Sequence, residues 1–272
     1  MMDFLAEAVS ESQRRLAKWR AEGTLDRLRT APAPELPRVS FTEALRRASP
    51  LAVIGEVKRA SPSKGVIRLD VDPARQASSY IQGGAAAVSV LTESKWFSGS
   101  IDDLISIRKS VRAPILRKDF IVEDDDIAVS RMIGADAVLL IVACLSHKRL
   151  AALLQQARDA AMAALVEAHE RDEVNAAVDA GADIIGVNAR NLRTLVVEPA
   201  HALEVLQDVP SHCVRIFESG IKDIADIRLA MEAGAHAVLV GETLMRATDP
   251  SMLIRTWVEG AKALQQERLT RP

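Results

Sequence analysis

Along most of the chain, short apolar runs alternate with longer segments in which apolar positions recur every three or four residues. The first pattern is that of strands buried on both faces, the second that of helices with one apolar stripe. One phrase repeats: a Gly-Ala pair followed at once by a β-branched run. It stands at Gly84-Ala85 before Ala86 to Leu91 and at Gly134-Ala135 before Ala137 to Val142. It returns at Gly181-Ala182 before Ile184 to Val187 and at Gly234-Ala235 before Ala237 to Val240. The spacing of about 50 residues is that of two strand-helix units, with the glycine ending a helix and the run forming a parallel strand. Further apolar runs at 51–58, 114–119, 164–169 and 214–219 bring the strands to eight. Amphipathic segments at 74–82, 102–110, 128–133, 150–160, 172–180 and 224–232 separate them. This alternation predicts the α/β class and a (β/α)8 TIM barrel over residues 49–272. No GxGxxG follows the first strand, which argues against a doubly wound dinucleotide-binding sheet.

Residues 1–48 read as a helical extension packed on the barrel. Phe4, Leu5, Ala8 and Val9 suggest one apolar stripe, Leu16 and Trp19 another, and the prolines of 31–37 mark a linker.

Composition narrows the function. A chain of 272 residues suits one barrel, and 49% apolar residues suit a large core. A net charge of −2 gives neither a nucleic-acid footprint nor a membrane-adhesive face, and no apolar run is long enough to span a bilayer. The first residues lack a basic region followed by an apolar stretch, so a cytoplasmic protein is expected, as a monomer or weak homo-oligomer. Cys144 and Cys213 are far apart and read as reduced, mostly buried thiols. The five histidines form no HxxxH or HExxH pattern, so no metal site is expected.

The active site of such a barrel lies at the carboxyl ends of its strands. Ionisable residues gather there: Glu56 and Lys58 end the first strand, Arg117, Lys118 and Asp119 the third, Glu167 the fifth, Asn188 and Arg190 the sixth, and Glu218 the seventh. Alternation puts Glu56 and Lys58 on one side of their strand. Charge inside strand runs is costly unless paired, so these groups are either structural ion pairs or a convergent site, and their common end favours the site. Glu218-Ser219-Gly220-Ile221 and Val240-Gly241-Glu242-Thr243 follow the last two strands, the usual phosphate position of this fold. The backbone of Glu242 is expected to face inward and its carboxylate outward. Aromatic residues make up 3% of the chain, yet Trp96, Phe97 and Phe120 all fall near the mouth. Phe97 and Phe120 are read as an apolar wall for an aromatic ligand. Residues 59–65, punctuated by Pro62 and Gly65, suit a mobile lid, with Lys64 a solvated charge.

The stretch Ile54 to Gly65, reading IGEVKRASPSKG, resembles the first-strand signature of the indole-3-glycerol phosphate synthase family. Ser89 to Glu93, Leu116 to Phe120, Leu165 to His169, Gly186 to Leu192, Glu218 to Ile221 and Leu239 to Glu242 are similar to its later blocks, in order. The resemblance covers about residues 50–250. It implies ring closure of 1-(2-carboxyphenylamino)-1-deoxyribulose 5-phosphate to indole-3-glycerol phosphate, with loss of carbon dioxide and water, in tryptophan biosynthesis. By motif, Lys118 is the general acid at the ketone and Glu167 the acid or base of dehydration. Lys58 holds the substrate carboxylate or phosphate, and Glu56 and Asn188 orient lysines and hydroxyls. Arg190 supports them, Leu192 adds to the substrate wall, and Ser61, Ser219, Gly220, Gly241 and Glu242 surround the phosphate. No cofactor is implied, because the aniline nitrogen supplies the electron push. Nearby positive groups are expected to lower the pKa of Lys118 toward the working range. The chain departs from the family pattern at Ala189, where a second Asn is common, at Phe217, and at Glu123 to Asp126, where a Tyr-Gln pair is expected.

Two alternatives belong to other classes. A phosphoribosylanthranilate isomerase type of barrel calls for a Cys with an Asp, and the first strand carries Glu56 and Lys58 instead. A non-catalytic phosphate-binding barrel would have lost some of Lys58, Lys118 and Glu167, and all are present.

Overall fold

The barrel strands are β1 (Ala52–Val57), β2 (Ala87–Leu91), β3 (Ile115–Lys118), β4 (Ala137–Ile141), β5 (Ala163–Ala168), β6 (Ile184–Asn188), β7 (Val214–Glu218) and β8 (Ala237–Val240). Each pairs in parallel with its neighbour in the chain, and β8 pairs with β1 to close the ring. The computed structural model describes residues 4–30 and 39–270, so the linker expected at 31–37 lies outside the described residues.

The repeated Gly-Ala phrase has a mechanical cause. Gly84, Gly134, Gly181 and Gly234 have φ of 100°, 94°, 88° and 86°, the left-handed region that glycine enters without a Cβ clash. After each, the alanine amide donates back across the last helical turn, as Ala85 N to Tyr80 O at 3.0 Å and Ala235 N to Ala230 O at 2.9 Å. This is a Schellman termination, and it turns the chain straight into the next strand. The helices so ended are α4 (Pro73–Gln82), α6 (Asp124–Met132), α8 (Arg171–Asp179) and α10 (Ile224–Glu232). The remaining barrel helices are α5 (Ile101–Ser110), α7 (His147–Asp159), α9 (Pro199–Asp208), α11 (Glu242–Arg246) and α12 (Pro250–Thr270). After α7 the same turn is built on Ala161, at φ 52°, with Met162 N donating to Ala157 O at 2.8 Å.

Alternation along the strands divides the core in two. Val53, Val88, Val138, Val166, Ile185 and Val238 face outward and pack under the helices. Ile54, Leu116, Leu139, Leu165, Ile216 and Leu239 face inward and fill the barrel. Every inward residue is buried below a tenth of its surface, so the barrel is a packed core and not a pore.

The extension supplies α1 (Phe4–Ala21), α2 (Thr24–Thr30) and α3 (Phe41–Arg47). Leu5, Ala8 and Leu16 are buried on one face of α1, so the two expected stripes belong to a single helix. Phe41 and Leu45 of α3 join the barrel-interior cluster, beside the strand starts at Ala163 and Ile184. Leu5 and Ala8 join the same cluster, and Phe4 reaches the cavity at the opposite end.

Two expectations change. Residues 59–65 are not a plain loop: Ala60–Ser61 pairs antiparallel with Gly65–Val66. The amides of Ile67 and Arg68 close it onto Arg59 O at 2.8 and 3.0 Å, and the Arg59 guanidinium pairs with Asp103. Cys144 sits half-buried in a 3-10 turn, Val142–Cys144, rather than in the strand; Cys213 is buried. The acidic run Glu123 to Asp126 caps α6 and anchors α1. Arg20 reaches Glu123 and Asp125, each at 2.7 Å, Arg149 takes Asp124 at 2.7 Å, and the Asp126 side chain accepts from Val122 and Glu123 amides at 3.1 and 3.2 Å.

Candidate active site

Inward alternation that places Ile54, Leu116, Leu165, Gly186 and Ile216 inside the barrel places Glu56, Lys118, Glu167, Asn188 and Glu218 inside one layer higher. Adjacent register tightens the group: Glu167 lies across from Gly186, and Asn188 across from Glu218. These side chains form the floor of a cavity of about 810 Å³ at the carboxyl ends of the strands.

Lys118 Nζ donates to Glu167 Oε2 at 2.7 Å and to Glu218 Oε2 at 2.8 Å. Asn188 Nδ2 donates to Glu167 Oε1 at 3.0 Å, while its own Oδ1 accepts from Ser219 Oγ at 2.8 Å and from the Arg190 amide at 2.9 Å. Lys58 Nζ pairs with Glu56 Oε1 at 2.6 Å. Gly186 and Gly241 make room for this layer. A Cβ on Gly186 would overlap Glu218 Oε1, and one on Gly241 would overlap Glu56 and crowd Lys58 Nζ.

The electrostatics run opposite to one expectation. Burial opposes the charge on Lys118, but Glu167, Glu218 and Glu56 outweigh it and raise the ammonium pKa. No lowering by positive neighbours occurs, because the groups facing Lys118 are carboxylates delivered by other strands. Its two acceptors are driven apart. Burial pushes Glu218 up to about 7, with Lys118 opposing and Glu167 adding repulsion. Burial also works on Glu167, but Lys118 and the hydrogen bond from Asn188 hold it below the usual carboxylate range. Two carboxylates on one lysine thus have different protonation near neutrality, the arrangement by which buried sites divide acid and base roles.

All fourteen expected site residues line this one cavity. The five residues expected to be catalytic fall into two bonded groups, Lys118 with Glu167 and Asn188, and Lys58 with Glu56. Ser61, from the hairpin, forms part of the wall, and Phe97, Phe120 and Leu192 form its apolar side. Ser219 and Gly220 turn tightly after β7, at φ 68° and 85°. Gly241 opens α11, and the Glu242 carboxylate is taken by Arg246 of the same helix at 3.1 Å. Arg190 braces the β6 loop through Leu195 O at 2.9 Å. Trp96 stays out of the cavity and packs edge-on against Phe4, with ring centroids 5.2 Å apart. Lys64 is exposed yet stands on the rim.

Two features escaped sequence reasoning. Glu218 is legible from the sequence only as a strand-end charge beside the phosphate turn, with no role of its own, although its position two residues beyond the inward-facing Ile216 marks it. Phe4, legible in the sequence only as part of an apolar helix stripe, extends the aromatic wall toward Phe120 at 5.9 Å. Arg117, by contrast, turns away from the cavity. It is wholly buried and donates to Thr92 Oγ1 at 3.0 Å, Ser130 Oγ at 3.0 Å and Asp119 Oδ2 at 2.9 Å. Arg15 of α1 completes this bracket at 3.0 Å from Asp119 Oδ1.

Solved structures with the same fold include 3-hexulose-6-phosphate synthase from Salmonella typhimurium (TM-score 0.64, 14% identity, 79% of this chain and 100% of that one). A thiamine phosphate pyrophosphorylase from Pyrococcus furiosus also aligns (TM-score 0.59, 15% identity, 80% and 98%). At such identities the likeness speaks for the fold alone. Sequence relatives go further. An indole-3-glycerol phosphate synthase of Streptomyces coelicolor is 44% identical, covering 93% of this chain and 94% of its own. One of Chlorobium luteolum is 43% identical, covering 94% and 97%. The profile described as indole-3-glycerol phosphate synthase matches residues 5–257, so the likeness reaches back through the N-terminal helices that the motifs alone did not cover. With that match over nearly its whole length, and with the lysine and carboxylate layer assembled at the mouth of its barrel, the chain belongs to the indole-3-glycerol phosphate synthase family.

Proposed function

We propose that the 810 Å³ cavity is where this decarboxylating lyase of tryptophan biosynthesis closes the indole ring, with Lys118 as the proton donor. The observation that carries the reading is the Lys118 ammonium held at 2.7 and 2.8 Å between Glu167 and Glu218 on the cavity floor. The substrate, 1-(2-carboxyphenylamino)-1-deoxyribulose 5-phosphate, lays its aromatic ring against Phe97, Phe120 and Leu192. Its phosphate sits at Ser61, Ser219, Gly220 and the start of α11 at Gly241 and Glu242, where first-turn amides lack helical acceptors.

The aniline nitrogen pushes electrons into its ring, and the ring carbon bearing the carboxylate bonds to the ketone carbon. Lys118 delivers a proton to the ketone oxygen as it gains negative charge. A raised pKa suits this, because the acceptor is an incipient alkoxide and the lysine must arrive protonated. The carboxylate held by Lys58 leaves as carbon dioxide and restores aromaticity. The new hydroxyl then departs as water, with Glu167 moving the proton. Glu218, pushed up to about 7 and so carrying its proton in about half of the molecules at neutral pH, returns it to Lys118 across 2.8 Å. Glu56 and Asn188 hold the lysine and Glu167 in place, and Arg190 braces the loop beside them. The reading carries with it a cytoplasmic enzyme, monomeric or weakly self-associating; among the described residues no helix is long and apolar enough to cross a membrane.

Incubating the protein with that substrate and following indole fluorescence tests the proposal. Product formation at a catalytic rate is expected. A folded protein that binds the substrate and forms no indole would end it.

A further inference from the structure

Outside the cavity, the end of β5 and the first turn of α9 bring two imidazoles and a carboxylate together. His169 and Glu170 follow β5, and His201 comes from α9, on the far side of the β6 loop. His201 Nε2 lies 3.0 Å from Glu170 Oε2, and His169 Nε2 lies 3.6 Å from Glu170 Oε1. The two rings meet edge to face with centroids 5.7 Å apart. One donor atom from each residue falls within 4.8 Å of the other two. None of the three lines the catalytic cavity.

The imidazole of His169 is already set for ligation. Its Nδ1 stands 2.7 Å from the Asn188 carbonyl, a contact that requires the proton on Nδ1 and leaves the Nε2 lone pair free. That Nε2 is buried and, among the described residues, has no hydrogen-bond partner. A histidine whose far nitrogen is fixed by a backbone carbonyl while its near nitrogen waits unpaired is the form metal sites use.

We infer that His169, Glu170 and His201 form a binding site for a divalent transition cation such as Zn²⁺. Tetrahedral bonds of about 2.0–2.1 Å put ligand atoms about 3.3 Å apart, so closure moves the farthest pair together by at most about 1.5 Å. His201 and Glu170 have 38% and 53% of their side-chain surfaces exposed and are free to make that move. Three protein ligands leave a fourth position to water, and the mixed imidazole and carboxylate set selects against Mg²⁺, which prefers an octahedron of oxygens. Spacing along the chain hid the site, because one ligand lies more than 30 residues beyond the other two.

Calorimetric titration of the untagged full chain with ZnCl2, beside MgCl2, tests this. One saturable equivalent of Zn²⁺ and no Mg²⁺ binding are expected, with His201→Ala and Glu170→Gln each weakening Zn²⁺ by on the order of 10–100-fold or more. Both side chains are half exposed, so the variants fold; circular dichroism verifies it. Indole formation by His201→Ala without added metal should match the wild type, which keeps this site distinct from the catalytic one. Absence of Zn²⁺ binding, or binding that survives both substitutions, overturns the inference and leaves the His201–Glu170 contact a hydrogen bond only.

Discussion

Glu218 is separated from an ordinary surface carboxylate by what surrounds it: the buried Ile216 and Phe217 below it on the strand, Lys118 at 2.8 Å, and a second carboxylate on the same ammonium. If it resupplies the proton that Lys118 spends, only its protonated form is active. Burial pushes it up to about 7, so kcat is expected to fall as pH rises through that value. Glu218→Gln keeps the shape and removes the proton. Its kcat should be lower at every pH and the inflection near 7 should vanish, read from kcat–pH profiles of both proteins. An unaltered inflection would assign the titration to another group. The sequence showed that Lys118 and Glu167 stand at strand ends, but not the sign of the Lys118 shift. That sign depends on carboxylates 49 and 100 residues away, which only the closed ring brings to it.

The elements most legible in the sequence were those whose ends have one mechanical solution. Four glycines at positive φ launch β2, β4, β6 and β8, and an apolar run after each left little choice of strand. β5 follows the same turn without the glycine. Ala161 occupies φ 52° there, where a Cβ costs about 1 kcal/mol or more. Ala161→Gly is therefore expected to stabilise the protein by about 1 kcal/mol, or roughly 2–4 °C in Tm for a domain of this size, measured by thermal unfolding. An unchanged or lower Tm would show that the gain in unfolded-chain freedom offsets the relieved strain. Illegible elements are those made by partners far apart. The hairpin over residues 60–66 depends on Arg59 meeting Asp103, and the seat of α1 depends on Arg15 and Arg20 meeting acids more than 100 residues on. The acidic run at Glu123 to Asp126, a departure from the family pattern by sequence, has this structural purpose.

At the scale of the molecule, closure converts strand alternation into chemistry: an apolar interior topped by one charged layer, with stability and activity linked through the same groups. Burial raises Glu218 to about 7 and Asp126 to about 6. A carboxyl with a raised folded-state pKa binds its proton more tightly when folded, so its contribution is full below the unfolded value and is lost as pH rises through the folded one. Asp119 is the reverse case: burial opposes its charge, but Arg15 and Arg117 prevail and lower it to about 2, and its contribution is lost only as pH falls toward that value. Tm is thus expected to decline from pH 5 to pH 8, and to decline less in Glu218→Gln. A Tm that rises over this window would contradict the burial of these protons. Ring closure as proposed requires Lys118 to be the proton donor, and the kinetics of Lys118→Ala measured alongside its melting temperature address that directly. General acid catalysis contributes on the order of 10²–10⁴-fold, so kcat should fall by at least that order, while phosphate-anchored substrate binding persists. Lys118→Arg should fail almost as badly, since a guanidinium does not release its proton near neutral pH. A Lys118→Ala protein that melts early yet turns over within about tenfold of the wild type would contradict the account, leaving Lys118 a structural partner of Glu167 and Glu218.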